Sequence, residues 1–166
     1  MLTSKKTLLT SLLIASFVYC GNAFSAASPY VGASVGLGML NYGSTTDNIG
    51  LGFGIHAGAM LNQYVGLEGF YTDFGSDHGQ SITAYGGYGK LNYQFENTLL
   101  LIYGKLGLSN LEVGSRSGTG MSYGFGFGYT ASNDVDFSVG YQAASGKVDD
   151  ENYTAGMYGV GIDFKF

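Results

Sequence analysis

The most restrictive feature of this sequence is a two-residue alternation that runs almost without interruption from Tyr30 to the last residue, Phe166. In MYGVGIDFKF, Tyr158, Val160, Ile162, Phe164 and Phe166 share one parity, and Gly159, Gly161, Asp163 and Lys165 share the other. Successive side chains of an extended strand point to opposite faces, so this pattern describes a strand with one bulky apolar face and one small or charged face. The run from Gly120 to Tyr129 is cleaner still: Met121, Tyr123, Phe125, Phe127 and Tyr129 alternate with Gly120, Ser122, Gly124, Gly126 and Gly128.

Eight such runs follow one another. Val31, Ala33, Val35, Leu37 and Met39 define the bulky face of the first, and Ile49, Leu51, Phe53, Ile55, Ala57 and Ala59 that of the second. The third has Val65, Leu67 and Tyr71, the fourth Tyr85, Leu91 and Tyr93, and the fifth Leu100, Ile102, Leu106 and Leu108. The seventh has Val135, Phe137, Val139 and Tyr141. Short breaks at Asn62, Glu96 and Asn133 alternate with longer polar breaks at 41–48, 73–81, 112–118 and 145–152. An antiparallel meander of this kind, with no helical stretch between strands, closes as an up-and-down barrel or packs as a sandwich.

Composition decides which face points inward. The chain has 29 glycines, 14 tyrosines, 11 phenylalanines and no tryptophan. With the bulky set inside, the outer wall would be mostly glycine and serine, short of the charges that keep soluble proteins dispersed. With the bulky set outside, lipid contacts it, closure pairs every backbone group, and the narrow interior of eight strands takes Gly, Ser and Ala beside a few polar groups. The expected fold class is therefore all-β, an eight-stranded antiparallel up-and-down transmembrane β-barrel. Tyr42, Tyr64, Tyr71, Tyr93 and Tyr129 are placed to form aromatic girdles at the lipid boundaries.

The N-terminus has Lys5 and Lys6, an apolar stretch from Leu8 to Tyr19 and a small-residue exit at Ala23, Ser25 and Ala26. This is the layout of a secretory signal peptide over residues 1–25, and a cut one or two residues later stays open. The barrel domain is then 26–166. Cys20, the sole cysteine, leaves with the leader, so the processed chain is expected to hold no disulfide and no thiolate metal ligand. The net charge of −5 falls to about −7 once the two leader lysines are gone, which argues against a nucleic-acid partner.

The inward parity includes His56, Glu68, Tyr88, Lys90, Tyr103, Lys105, Asp136, Gln142, Asp163 and Lys165. Charges in so narrow a space must meet opposite charges. An interior ion cluster of Glu68, Lys90, Lys105, Asp136, Asp163 and Lys165 is expected, within a lumen otherwise filled by small residues. At the rim opposite the termini, Asp47, Asp73, Asp77, His78, Glu112, Arg116, Lys147, Asp149, Asp150 and Glu151 are the candidates for surface contact. Neither DFGSDHG nor KVDDEN has the ligand spacing of a calcium loop, GLGFG lacks the Lys-Ser/Thr of a phosphate loop, and no metal or other cofactor is expected. His56 faces inward with Ser122 and Ser138 on distant strands, and His78 beside Asp73 and Asp77 reads as part of a solvated acidic loop, so catalysis is not expected either.

In its alternation, its length and above all its last strand, the chain resembles the small eight-stranded outer-membrane barrels of Gram-negative bacteria: the opacity-type proteins, the OmpA transmembrane domain and the OmpX/Ail group. YGKLGLSNLEV, from Tyr103 to Val113, is similar to the fifth strand of opacity-type proteins. The resemblance implies a cell outer membrane location and contact with outer-membrane lipid and lipopolysaccharide; a monomer is expected because a closed barrel leaves no edge for a partner. The resemblance also implies that Tyr158, Val160, Ile162, Phe164 and Phe166 form the signal read by the barrel-assembly machinery. A structural or adhesin-like role toward a host or cell-surface factor follows, with a narrow ion channel and a lipid A-modifying enzyme as alternatives.

Overall fold

The computed structural model describes residues 27–42, 45–77, 79–148 and 151–166. Eight strands, β1 (Ser28–Tyr42), β2 (Thr45–Met60), β3 (Val65–Asp77), β4 (Gln80–Gln94), β5 (Leu100–Val113), β6 (Arg116–Ser132), β7 (Val135–Val148) and β8 (Glu151–Lys165), pair in sequence order. β1 returns to β8 in an antiparallel ladder from Tyr30↔Lys165 to Tyr42↔Tyr153, which closes the barrel and leaves no free edge at the termini.

The bulky parity faces out. Phe125, Phe127, Val160 and Leu51 are each more than half exposed. On β6 the bulky outward set covers nine residues, Met121 to Tyr129. At ~3.4 Å per residue and a tilt of ~40° that makes a belt of about 21 Å, close to the ~25 Å apolar band of such barrels.

Strand lengths depart from expectation. The stretches 41–48, 73–81, 112–118 and 145–152 are not long loops. Most of each is paired strand, as in Asn41↔Thr46, Thr83↔Glu112 and Lys147↔Asn152. The physical reason is that the ladder does not stop at the lipid boundary: polar Ser, Thr and Asn residues alternate there too and keep the register. Tight turns then suffice, as at Gly114, whose φ of 63° suits a two-residue connection between Val113 and Arg116. Each strand therefore stands several residues above the belt as a raised collar. Its outer wall includes Asn110, Thr119, Ser145 and Thr154.

Two bulges correct a second expectation. Ile49 is inside the barrel, not on the lipid face: Gly38 pairs with Gly50 and Met39 with Asn48, so Ile49 is the extra residue. Gly50 has a φ of 91°, open only to glycine at low cost. Phe74 is the extra residue between Asp73↔Thr83 and Gly75↔Ile82, with Gly75 at φ 117° and its N–H donated to Asp73 Oδ1 at 2.9 Å.

These two side chains join Leu40, Ile82, Leu111, Ala84, Ala144, Ala155 and Met157 in an apolar core inside the collar. The lumen is thus not filled by small and charged residues alone. Its hairpin end holds a bulky apolar plug.

Candidate functional site

The polar half of the lumen is built from side chains that the ladders bring level. Glu68 on β3 sits between β2 and β4, opposite Gly58 and Tyr88. Its carboxylate accepts from Lys105 Nζ at 2.7 Å and from the Tyr30 hydroxyl at 2.8 Å, with Lys90 Nζ at 3.6 Å. Lys90 also lies 3.5 Å from Asp163, whose other oxygen is 2.6 Å from His56 Nε2. Lys165 and Asp136 form a separate pair at 2.8 Å nearer the termini.

Aromatic faces complete the cage. Lys90 Nζ is 4.3 Å from the Tyr30 ring centroid, and Lys105 Nζ is 5.4 Å from that of Tyr103. Phe70 stacks on Tyr88 with centroids 4.2 Å apart. Gly32 is required for this packing, because a Cβ there would overlap both Asp163 Oδ1 and His56 Nε2.

Glu68, Lys90, Lys105 and Asp163 thus form one cluster, while Asp136 and Lys165 stand apart as a pair. Tyr30 and Tyr103 belong to the cluster as well, and sequence reasoning did not assign them to it. The signal was available: both share the glycine parity of their strands. The His56–Asp163 contact was less accessible, since it joins β2 to β8 across the inside of β1.

Two cavities of about 30 Å³ each flank Tyr103. One is lined by His56, Asn92, Asp136 and Asp163, the other by Ser34, Gln142 and Met157, and Tyr103, Lys105 and Ser138 line both. Each has room for about two water molecules. His56, Asp163 and Ser138 share the first cavity, but its volume admits no acyl chain, and His56 already engages the carboxylate. Among the described residues no group of three or more His, Cys, Asp and Glu is placed to hold a metal ion.

The described surface candidates are spread over several strands of the collar. Asp47 on β2 pairs with Leu40, Asp73 and Glu112 flank Thr83 on adjacent strands, and Thr83 Oγ1 lies 3.5 Å from Glu112 Oε2. Arg116 opens β6 opposite Val113, Lys147 pairs with Asn152, and Glu151 accepts from the Tyr153 hydroxyl at 3.1 Å. They sit on strands, not in loops as expected. His78, Asp149, Asp150 and the Asp77 side chain fall outside the described residues.

In the last strand, Tyr158, Val160 and Phe164 are exposed on the lipid face, Ile162 is half-buried, and Phe166 is exposed with its N–H donated to Pro29 O at 3.0 Å.

Comparison with known proteins agrees with this geometry. The family described as "Outer membrane protein beta-barrel domain" matches residues 10–166. No curated protein sequence matches the chain significantly. Among solved structures, Neisserial surface protein A (NspA) is similar at 23% identity with a TM-score of 0.68, covering 86% of this chain and 100% of that one. Ail, the attachment invasion locus protein of Yersinia pestis, is similar at 20% identity with a TM-score of 0.57, covering 83% and 99%. Ail has also been solved with the heparin analogue sucrose octasulfate. The N-terminal β-barrel domain of Pseudomonas aeruginosa OprF follows at 15% identity and a TM-score of 0.52, covering 81% and 97%.

Proposed function

That the chain belongs to the outer membrane protein β-barrel family is the premise from which we propose its role. It serves as a monomeric, non-catalytic barrel in the outer membrane of a Gram-negative bacterium, and its work is done at the surface by the collar. The leader 1–25 directs export and is removed, and the β8 residues ending at Phe166 are read by the assembly machinery. Outer-membrane lipid and lipopolysaccharide surround the belt. The collar contacts a host or neighbouring-cell factor in an adhesin-like manner.

The observation that carries this reading is that side chains take up most of the lumen, with the ion cluster and two small cavities in one half and the apolar plug in the other. The exposed strand ends are then the place where another molecule can engage the protein. The similarity to Ail, an attachment invasion locus protein, adds support, as does the complex of that protein with a heparin analogue.

The test is attachment of a non-adherent bacterial strain expressing the chain to cultured host cells. A variant with Asp47→Asn, Asp73→Asn, Glu112→Gln and Glu151→Gln keeps the barrel's heat-modifiable gel mobility and loses at least ~10-fold in attachment. If the unaltered chain confers no attachment above the empty strain, the adhesin-like reading is wrong.

A further inference from the structure

The two ends of the barrel differ in the exposure of their inward side chains. The Lys165 side chain, nearest the termini, is 29% exposed, Asp163 is 15%, and His56 and Lys105 are 11%. Glu68 is 1% exposed, and Ile82, Leu111 and Ala155 in the plug are at zero.

The two cavities lie along this length of the lumen. The one beside Asp136 and Asn92 is lower, and the one beside Gln142 and Met157 reaches the underside of the plug. Asn92 Oδ1 is buried without a protein donor and its residue lines the lower cavity; such an acceptor calls for water.

Beyond Met157 the character changes. Leu40, Ile49, Phe74, Ile82 and Leu111 fill the section. The Phe74–Gly75 backbone leans across the mouth until a Cβ on Gly38 of β1 would overlap the Phe74 carbonyl, although β1 and β3 are not neighbours in the sheet. The ladder between β2 and β3 stops at Phe53↔Asp73, which lets the β3–β4 hairpin tilt inward in this way.

We propose that the lumen is a blind vestibule, wetted from the rim bearing the termini, and that the apolar plug of the collar is its barrier to water and small ions. The ion cluster is not that barrier. Its charged groups keep water-sized spaces beside them and can exchange partners among two carboxylates, two lysines and His56. An ion entering the plug would have to shed its hydration among aliphatic and aromatic groups that offer no replacement. This reading is independent of what the collar binds.

Ser138 lines both cavities, and Cys20 of the leader is the sole cysteine, so Ser138→Cys places one reporter thiol in the processed barrel. In vesicles holding the barrel in one orientation, a small water-soluble thiosulfonate added at the termini side modifies it. Added at the hairpin side, the reagent reacts at least ~10-fold more slowly. Equal rates from both sides overturn the proposal, and so does failure to react from either.

Planar-bilayer conductance supplies a second arm. The native barrel and Glu68→Gln remain closed, and the double variant Phe74→Ser, Leu111→Ser conducts. Conduction by the native barrel, or by Glu68→Gln alone, contradicts the assignment. Should the double variant fail to fold, the thiol rates still decide.

Discussion

Removing the Glu68 carboxylate tests the electrostatic half of the lumen. In Glu68→Ala, Lys105 loses its 2.7 Å partner, the Tyr30 hydroxyl loses its acceptor at 2.8 Å, and Lys90 keeps Asp163 at 3.5 Å. Breaking a buried ion pair on one side costs ~3–5 kcal/mol, and an orphaned buried hydroxyl adds ~1–3 kcal/mol. The cavity beside Lys105 lets water reach the ammonium, which places the sum near the lower end, about 4 kcal/mol, or roughly 1000-fold in the folding equilibrium. The assay is urea unfolding of the barrel refolded into lipid vesicles, read by heat-modifiable gel mobility. The double variant Glu68→Met, Lys105→Met removes both charges, and apolar groups of similar size replace such pairs at little net cost. It recovers at least half of the loss. A loss below ~1 kcal/mol for Glu68→Ala, or a double variant worse than the single one, refutes the reasoning.

Four further outcomes follow from the same geometry. Phe125→Arg, at the middle of the belt, costs ~2–4 kcal/mol in vesicles, because a cation replaces an aromatic ring at the bilayer midplane; equilibrium unfolding in lipid checks this. Gly32→Ala destabilises by ~1–3 kcal/mol because its methyl displaces the His56–Asp163 contact. Gly104→Ala, with open space beside it on the outer wall, leaves stability unchanged or raises it slightly in the same measurement. Deletion of Phe166 leaves the refolded barrel within ~1 kcal/mol of the native one, judged as an exposed surface residue. Pulse-labelled cells nevertheless show slowed appearance of the folded form.

Strand number, order and facing were legible because side-chain size alternates so sharply within the belt. Phe125 beside Gly124 leaves no doubt about parity, and the lipid environment turns that contrast into an orientation. Above the belt the same alternation continues between residues such as Ser117 and Gly118 or Thr154 and Ala155, whose difference in hydropathy is too small to announce a strand. From sequence alone the collar therefore reads as loops. The bulges were hidden for another reason: Ile49 continues the apolar parity of Leu51 and Phe53, and only the Gly50 backbone at positive φ turns it inward.

Of the candidate site, the pairing of Glu68 with Lys90 and Lys105 followed from their neighbouring strands. The partnership of His56 with Asp163 depends on two registers at once, Gly32↔His56 and Gly32↔Asp163. Neither register is readable from a single strand. Tyr30 reaches Glu68 from two strands away for the same reason.

The central claim, bulky parity in lipid and plug residues out of it, is tested most directly by nuclear Overhauser contacts to lipid acyl chains in nanodiscs. The account predicts contacts from acyl methylenes to Leu51, Phe127 and Val160, and none to Ile82, Leu111 or Met157. Contacts to the second group, or their absence from the first, would contradict it.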